Sequence, residues 1–276
     1  MIPLVGSPAI NAGNREGNPG ETDQRGKPRA GNGFIDIGAV EVQWICVTAI
    51  GKSAERFYSE DATAVQLAAT HLGPAGGDVL IAGTCTGAFM RNGRTQLLDI
   101  VDRNLVLNGG WDKTFAHQDS NLYPTLLDAA NTGRVLYVGA DRTVTLENLN
   151  LTGGAGDNGG AIYLAGGTYV TLTQSSVYSN TATGNGGGIY SLGHLLTLQQ
   201  STAFANVAAT GVGGGIYQGG GALALRNSSE VNGNSAGSSG GGIYSTVADA
   251  LIADSRIYSN TAPGDGGAIW AAGNVT

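Results

Sequence analysis

Five aromatic residues in the second half of the chain stand at nearly constant spacing and are the first candidates for binding chemistry. Each follows the isoleucine of a string Gly-Gly-Gly-Ile or Gly-Gly-Ala-Ile, and these isoleucines are 27, 27, 27 and 26 residues apart. Aromatic rings at this interval could stack on sugar rings or contact a partner surface. They could also stack on one another and only stabilise a sheet, which their uniform spacing favours. The residues are Tyr163, Tyr190, Tyr217, Tyr244 and Trp270, with Tyr137 one interval earlier.

Carboxylate side chains are the second class of residue that could do chemistry, since enzymes that cleave glycosidic bonds use a pair of them. Acids are densest between residues 99 and 128, and Asp102 and Asp112 are the candidates there. Asp249 and Asp254 are close in sequence, but the repeat pattern places them on different parts of a coil. No acid pair has the spacing that glycoside hydrolysis needs. We therefore assign no catalytic residue, and enzymatic activity stays uncertain at this level.

Metal ligands, cofactors and nucleic-acid contacts are not indicated. The histidines, His71, His117 and His194, lie in unrelated contexts without the spacing of a metal site. The glycine triplets recur without a following helix, unlike a phosphate-binding loop. The chain has a net charge of −7 and no basic run, so it lacks the cationic stripe that binds nucleic acid. It also lacks an apolar run of about 18 residues, so no membrane-spanning segment is expected.

The two cysteines, Cys46 and Cys85, flank the predicted entry to the repeat region. In an oxidising compartment they could form one disulfide, which would contribute about 3–4 kcal/mol for a loop of this size. The alternative is a pair of buried free thiols. The small even number of cysteines favours the disulfide.

The elements that position these residues follow from the repeat itself. Self-similarity with a period of about 27 residues is typical of a stacked architecture. Apolar residues alternate along a short strand in each repeat, so that Val170 and Leu172, for example, point to the same side. Three inward-facing stretches per repeat predict an all-β fold, a parallel β-helix with about 27 residues per coil. One residue is inserted in the third coil, between Leu225 and Ser229.

Glycine and asparagine mark two corners of each coil. Three glycines before an inward isoleucine suit a corner with positive φ and a close approach of neighbouring backbones. Asparagine tolerates the left-handed region and can bond the backbone of a neighbouring coil, so a buried asparagine ladder is expected. Its members are Asn180, Asn206, Asn234 and Asn260.

Residues 59–72 have the composition of a short helix that would cover the open end of the first coil. Ser59 is the expected N-cap, Glu60 and Asp61 favour the helix dipole, and Pro74 ends the helix. A solenoid needs such a cap to avoid edge-to-edge pairing. The apolar side of the helix contains Val65, Ala68, Ala69 and Leu72.

The coil sequence, Gly-Gly-Gly-Ile-Tyr followed by Leu-Thr-Leu and a serine, resembles the right-handed parallel β-helix repeats of bacterial surface proteins. It looks like the polymorphic outer-membrane-protein type, whose coils carry Gly-Gly-Ala-Ile, as Gly159–Ile162 and Gly266–Ile269 do here. This resemblance covers roughly residues 77–276 and implies an extracellular or cell-surface location in a bacterium.

The same resemblance implies a non-enzymatic stalk or adhesin, whose partners are polysaccharides or other cell-surface molecules that the aromatic residues contact. The alternative is a carbohydrate-active β-helix enzyme, a polysaccharide lyase or hydrolase. Its site would then lie outside this chain or near the first coils, within residues 90–130.

Three segments near the start of the chain carry a second resemblance, namely Ser7–Gly13, Thr22–Arg29 and Asp36–Glu41. Through them, residues 1–43 resemble the closing segment of another β-helix family of bacterial surface proteins, the choice-of-anchor Q type. In that family the segment follows a β-helix, which implies that residues 1–43 are the tail of a preceding domain. Residues 44–76 are then the N-terminal cap, and residues 77–276 are a β-helix that is cut part-way through its last coil.

Overall fold

The computed structural model describes residue 22 and residues 45–51, 55–247 and 249–276, which form an all-β parallel solenoid of about seven turns. Each turn uses about 27 residues, and the described part has one α-helix, near its start. The predicted fold class is therefore confirmed. The predicted tail of a preceding domain, residues 1–43, lies outside the described residues except for Thr22.

The N-terminal part combines a hairpin, the helix and the first strands of the solenoid. Its elements are Cys46–Ile50 (β1), Arg56–Ser59 (β2), Thr63–His71 (α1), the 3-10 helix Gly73–Ala75, Gly77–Thr86 (β3), Phe89–Arg91 (β4), Arg94–Ile100 (β5), Leu105–Asn108 (β6), Thr125–Asp128 (β7) and Arg134–Val138 (β8). Strand β1 pairs antiparallel with β2 and β3, and β4 pairs antiparallel with β5. Strands β3 and β5 then begin the parallel ladders of the solenoid.

The repeat region supplies four strands to each full coil, one more than the three that the sequence predicts. Its strands are Thr143–Glu147 (β9), Leu149–Thr152 (β10), Ala155–Gly156 (β11), Ile162–Leu164 (β12), Tyr169–Thr173 (β13), Ser176–Tyr178 (β14), Thr181–Ala182 (β15), Ile189–Ser191 (β16), Leu195–Gln199 (β17), Thr202–Phe204 (β18), Val207–Ala208 (β19), Ile216–Gln218 (β20), Ala222–Arg226 (β21), Glu230–Asn232 (β22), Ser235–Ala236 (β23), Ile243–Ser245 (β24), Asp249–Ile252 (β25), Arg256–Tyr258 (β26), Ile269–Ala271 (β27) and Asn274–Val275 (β28).

These strands stack into three faces. Face A contains β6, β9, β13, β17, β21, β25 and β28, and face B contains β7, β10, β14, β18, β22 and β26. The long strand β3 begins both of these faces, because its first half pairs with β6 and its second half with β7. Face C contains β5, β8, β12, β16, β20, β24 and β27. The two-residue strands β11, β15, β19 and β23 form a narrow ladder between faces B and C.

The core follows the predicted alternation on every face. The repeated isoleucine of face C is fully buried at Ile162, Ile189, Ile216 and Ile243. The inward column two residues further along face C changes in character from coil to coil. It runs from Leu164 through Ser191 and Gln218 to Ser245, and all four side chains are fully buried.

The corner between faces A and B is made by a single residue with positive φ, such as Gln174 at +48° and Gln200 at +49°. The third coil has two residues there, Asn227 at +53° and Ser228 at +64°. The predicted insertion is thus a lengthened corner. Pairing is restored at once, because Glu230 and Val231 align with Arg256 and Ile257 of the next coil.

The asparagine corner forms the predicted buried ladder, but the conformational reason for asparagine was wrong. Positive φ belongs to the residue before each asparagine, as at Ser179 and Ala205, and not to Asn180 or Asn206. Asparagine is placed here for its amide group. The Asn206 side chain donates to the carbonyl oxygen of Val177 at 2.9 Å, and its own oxygen accepts the backbone N–H of Asn180 at 3.2 Å.

Glycine is required for different reasons at the first and second positions of each triplet. Only the first glycine has positive φ, for example +64° at Gly186. The second is needed for space, because a Cβ on Gly187 would lie 2.3 Å from the carbonyl oxygen of Gly214 in the next coil. Larger residues at the second position are therefore excluded by backbone contact.

Helix α1 covers the start of the solenoid as predicted, with Val65, Ala68 and Ala69 fully buried. It begins at Thr63, later than expected, and Ala62 occupies the N-cap position without a side-chain cap. Ser59 still accepts a helix N–H, that of Ala64, at 3.1 Å. The sequence predicts the N-cap three residues too early, at Ser59 instead of Ala62, because the chain bends before it enters the helix.

Cys46 of β1 and Cys85 of β3 are joined by a disulfide. Both residues are fully buried beneath α1. The bond links the antiparallel hairpin to the first strand of the solenoid. Within the described ranges, no helix is both long enough and apolar enough to cross a membrane.

Candidate functional site: the tyrosine column and its N-terminal groove

The aromatic residues of face C form one continuous stack, called here the tyrosine column. Successive ring centroids lie 5.3, 5.1, 4.7, 5.9 and 4.2 Å apart, and the interplanar angles are between 5° and 24°. Parallel pairing of the strands produces this stack, because it places each aromatic residue level with the next one. The members are Tyr137, Tyr163, Tyr190, Tyr217, Tyr244 and Trp270.

Stacking decides which part of each ring a ligand can reach. Tyr190 has Tyr163 on one ring face and Tyr217 on the other, so neither face is open to a sugar. Only ring edges and phenol oxygens of the inner members meet solvent. The column can therefore offer a row of hydroxyl groups, whereas stacking of a sugar between its inner rings is blocked.

Burial within the column raises the pKa of Tyr190, and the neighbouring phenols of Tyr217 and Tyr163 raise it further. A raised pKa means that the folded state favours the neutral phenol. Its contribution to stability is complete below the unfolded pKa of about 10 and is lost as the pH rises through the folded value.

We expect the free energy of unfolding to fall when the pH rises from about 8 to about 11, and to fall less in Tyr190→Phe than in the native chain. Urea unfolding at both pH values measures this difference. Tyr169→Phe is the matched control, because Tyr169 is 49% exposed and lies outside the column. Equal losses in Tyr190→Phe and the native chain would contradict the burial of this phenol.

A second, shorter stack lies on face B. Tyr178 and Phe204 are stacked at 5.0 Å with an interplanar angle of 11°. Asn232 occupies the next position and interrupts the stack. Tyr258 follows in the next coil, where its hydroxyl donates to the carboxylate of Glu230 at 3.0 Å. Face B therefore lacks the continuous row of phenols that distinguishes face C.

A groove of about 550 Å³ opens at the N-terminal end of the tyrosine column. Two arginines from adjacent strands enter it beside the first two rings. The guanidinium carbon of Arg94 lies 3.8 Å from the ring centroid of Tyr137, and that of Arg134 lies 5.3 Å from the ring centroid of Tyr163. Both distances lie within the cation–π range, so each arginine is held close to an aromatic ring.

Backbone and acidic groups fix the two arginines in place. Arg134 donates through Nε to the carbonyl oxygen of Gly159 and through Nη2 to that of Asn158, both at 2.9 Å. Burial lowers the pKa of Arg134, and the positive charge of Arg94 lowers it further, against the opposing charge of Asp157. Arg94 approaches the buried carboxylate of Asp99, with 3.8 Å between Nη2 and Oδ1.

The two carboxylates considered for catalysis are each engaged in local hydrogen bonds. Asp102 is exposed, and a hydrogen bond from Arg103 at 2.6 Å lowers its pKa. Burial acts to raise the pKa of Asp112, but hydrogen bonds from Thr114 and from two backbone N–H groups outweigh it and lower the pKa. Both groups are thus held ionised at neutral pH and unsuited to donate a proton. Across the described ranges, no group of three or more His, Cys, Asp or Glu residues could hold a metal ion.

Sequence reasoning placed the tyrosine column correctly but missed the groove. The structure brings together Arg94, Arg134 and Asp157, none of which the sequence marks as a candidate. Arg94 comes from the irregular first coil, where no repeat register exists to align it with Arg134. A partial signal was present, because Arg134 stands three residues before Tyr137, the first member of the column.

Comparison with known proteins supports the repeat assignment. Three segments match the family model of the Chlamydia polymorphic membrane protein repeat, namely residues 174–192, 228–246 and 254–272. No curated protein and no solved structure matches the chain. Each matched segment runs from the corner between faces A and B to the face C strand that bears the aromatic residue. Together with the parallel solenoid, the match confirms the predicted resemblance to this repeat type, which indicates an outer-membrane or cell-surface β-helix protein.

Proposed function

We propose that this chain is a non-enzymatic stalk of the cell surface that acts as an adhesin and binds polysaccharide along the outer edge of the tyrosine column. The observation that carries the proposal is the unbroken row of phenol edges on face C. A linear polysaccharide is a chain of sugar units that presents hydroxyl groups at regular intervals. Such a chain can form hydrogen bonds with a regular row of tyrosine hydroxyls along one axis. Tyrosine is well suited to such a contact, because it loses little side-chain entropy on binding and its hydroxyl group stays exposed to solvent.

The rest of the coil supports the role of a stalk. Every coil pairs in parallel with the next on three faces, and the asparagine amides connect the coils inside the corner. Each coil adds about 4.8 Å of length, so about seven coils span roughly 34 Å. A rod of stacked coils places a binding surface at a distance from its point of attachment.

A glycan array tests the proposal. We expect the purified chain to retain polysaccharides without cleaving them, and we expect Tyr190→Ala combined with Tyr217→Ala to weaken retention at least about tenfold, the loss of roughly 1.4 kcal/mol. The matched control is Tyr169→Ala with Tyr258→Ala, which removes two exposed tyrosines outside the column. Equal weakening by both pairs would exclude a specific role for the column.

The same samples test the enzymatic alternative. New reducing ends or unsaturated products, lost in Asp102→Asn or Asp112→Asn, would support a polysaccharide hydrolase or lyase and refute the proposal. Thermal unfolding of each variant separates loss of binding from loss of fold.

A further inference from the structure

The N-terminal end of the tyrosine column differs chemically from the rest of it, because it alone in the described ranges carries arginines against its rings. Arg94 and Arg134 lie on adjacent strands, β5 and β8, and both line the groove of about 550 Å³. Asp157 is the one acidic residue among the described residues that line it. Two cations thus share a partly enclosed space in a protein of net charge −7.

The two guanidinium groups are not fully neutralised by the protein. Arg94 meets Asp99 only at 3.8 Å, and its Nε is buried without a hydrogen-bond partner among the described residues. Asp99 also accepts a hydrogen bond from the side chain of Asn92, so its charge is shared. Arg134 donates its hydrogen bonds to neutral carbonyl oxygens, and Asp157 acts on it only through its charge. Like charges held together in partial burial are costly unless an anion joins them.

The remaining lining indicates what kind of anion fits. Thr95 and Thr132 supply hydroxyl groups, and the main chain of Gly93 is exposed, with no atom within 4 Å of an added Cβ. Apart from the two tyrosines and Ala155, no apolar side chain lines the described groove, so an apolar anchor finds no pocket. A polyhydroxylated ligand with one carboxylate satisfies both the arginines and the neutral polar groups.

We infer that this groove binds the carboxylate of an acidic saccharide unit between Arg94 and Arg134, with the sugar hydroxyls against Thr95, Thr132 and the edges of Tyr137 and Tyr163. Guanidinium groups bind carboxylates in a bidentate manner, and cation–π contact holds both arginines in position before the ligand arrives. The inference rests on the proposed function. It adds a charge requirement at one end of an otherwise neutral row of hydroxyls.

Calorimetric titration with tetragalacturonate tests the inference, with maltotetraose, tetraglutamate and inorganic sulfate as comparison probes. We expect binding of tetragalacturonate that weakens as salt rises, and binding at least about tenfold weaker for maltotetraose. Arg94→Gln should weaken the binding of tetragalacturonate at least about tenfold, and Arg94→Gln with Arg134→Gln should abolish it. Arg226→Gln, an exposed arginine on face A, is the matched control and should bind as the native chain does.

Arg134→Lys keeps the charge but loses the paired donors of the guanidinium group. Its affinity for tetragalacturonate should therefore lie between those of the native chain and the double variant. Because lysine also lacks the Nε and Nη2 donors that bond Gly159 and Asn158, thermal unfolding is measured for every variant to report its fold. Equal affinity for maltotetraose, or native affinity in Arg94→Gln, would overturn the inference. Equal or tighter binding of tetraglutamate would assign the groove to acidic peptides, and binding of sulfate alone would assign it to simple anions, each against the inference.

The two proposals fail in different ways. One result is retention of neutral polysaccharide that depends on Tyr190 and Tyr217 but on neither arginine. That result would support the adhesin and contradict the proposed saccharide site in the groove. Cleavage of polysaccharide removes the non-enzymatic function, whereas arginine-dependent binding of tetragalacturonate would still be measurable.

Discussion

Replacing Asn234 by alanine is expected to lower the free energy of unfolding by about 4 kcal/mol, because about two buried polar groups then lose their partners. The Asn234 side chain donates to the carbonyl oxygen of Ala203 at 2.9 Å and accepts the backbone N–H of Asn206 at 2.9 Å. Both contacts cross from one coil to another inside the corner. Urea unfolding measures the global loss, and amide exchange at Asn206 should accelerate first.

Asn232→Ala is the matched control for this variant, because Asn232 is the same residue type two positions earlier in the same coil. It points outward from face B into the interrupted aromatic stack, level with Phe204. We expect its effect to stay within about 0.5 kcal/mol of the native chain. Similar losses in the two variants would show that the ladder amides contribute no more than surface asparagines.

Replacing Gly214 by alanine is expected to disrupt the glycine corner and to cost about 4 kcal/mol or more, at the upper end of overpacking effects. The added Cβ would lie 2.3 Å from the carbonyl oxygen of Gly241 and 2.5 Å from the carbonyl carbon of Ser235. Both atoms belong to the backbone of the following coil, so no side chain can turn away. The coils must separate locally, which urea unfolding and amide exchange at Gly215 would report.

Gly166→Ala is the corresponding control. An added Cβ there meets no atom within 4 Å, and the residue does not have positive φ. Alanine restricts the unfolded chain at such a site, so we expect a change between zero and about 1 kcal/mol of added stability. A large loss at Gly166 would mean that glycine is required throughout these turns for reasons other than space.

The sequence was sufficient for the architecture because the repeat reports directly on stacking. Period, inward residues and the one-residue insertion could all be counted, and strand pairing places Ile189 level with Ile216 as counted. The backbone conformation at the corners was harder to predict from the sequence. Asn180 was expected to adopt the left-handed region itself, but Ser179 does so, because the amide must stay inside to bond the neighbouring coil.

The candidate site was predictable only where the repeat reaches it. The register of Tyr163, Tyr190 and Tyr217 follows from the period, but the blocking of their ring faces depends on rotamers that sequence does not determine. The groove needs Arg94 beside Arg134, two residues 40 positions apart in the first, irregular coils. The first coils have no internal copy for comparison, so only the folded structure shows that these charges lie side by side.

The changing inward column of face C has a consequence for how the chain finds its native pairing. Coils of almost equal length and sequence could in principle associate one coil out of step, as identical strands do when their register is weakly specified. Leu164, Ser191, Gln218 and Ser245 make the interior of each coil differ from that of its neighbours, and the extra residue at Ser228 gives one coil a distinct perimeter. A slipped pairing would bring the buried Gln218 against the wrong neighbours and misalign the enlarged corner. These irregularities act as position labels, so a nearly periodic sequence can still specify a single alignment of its coils.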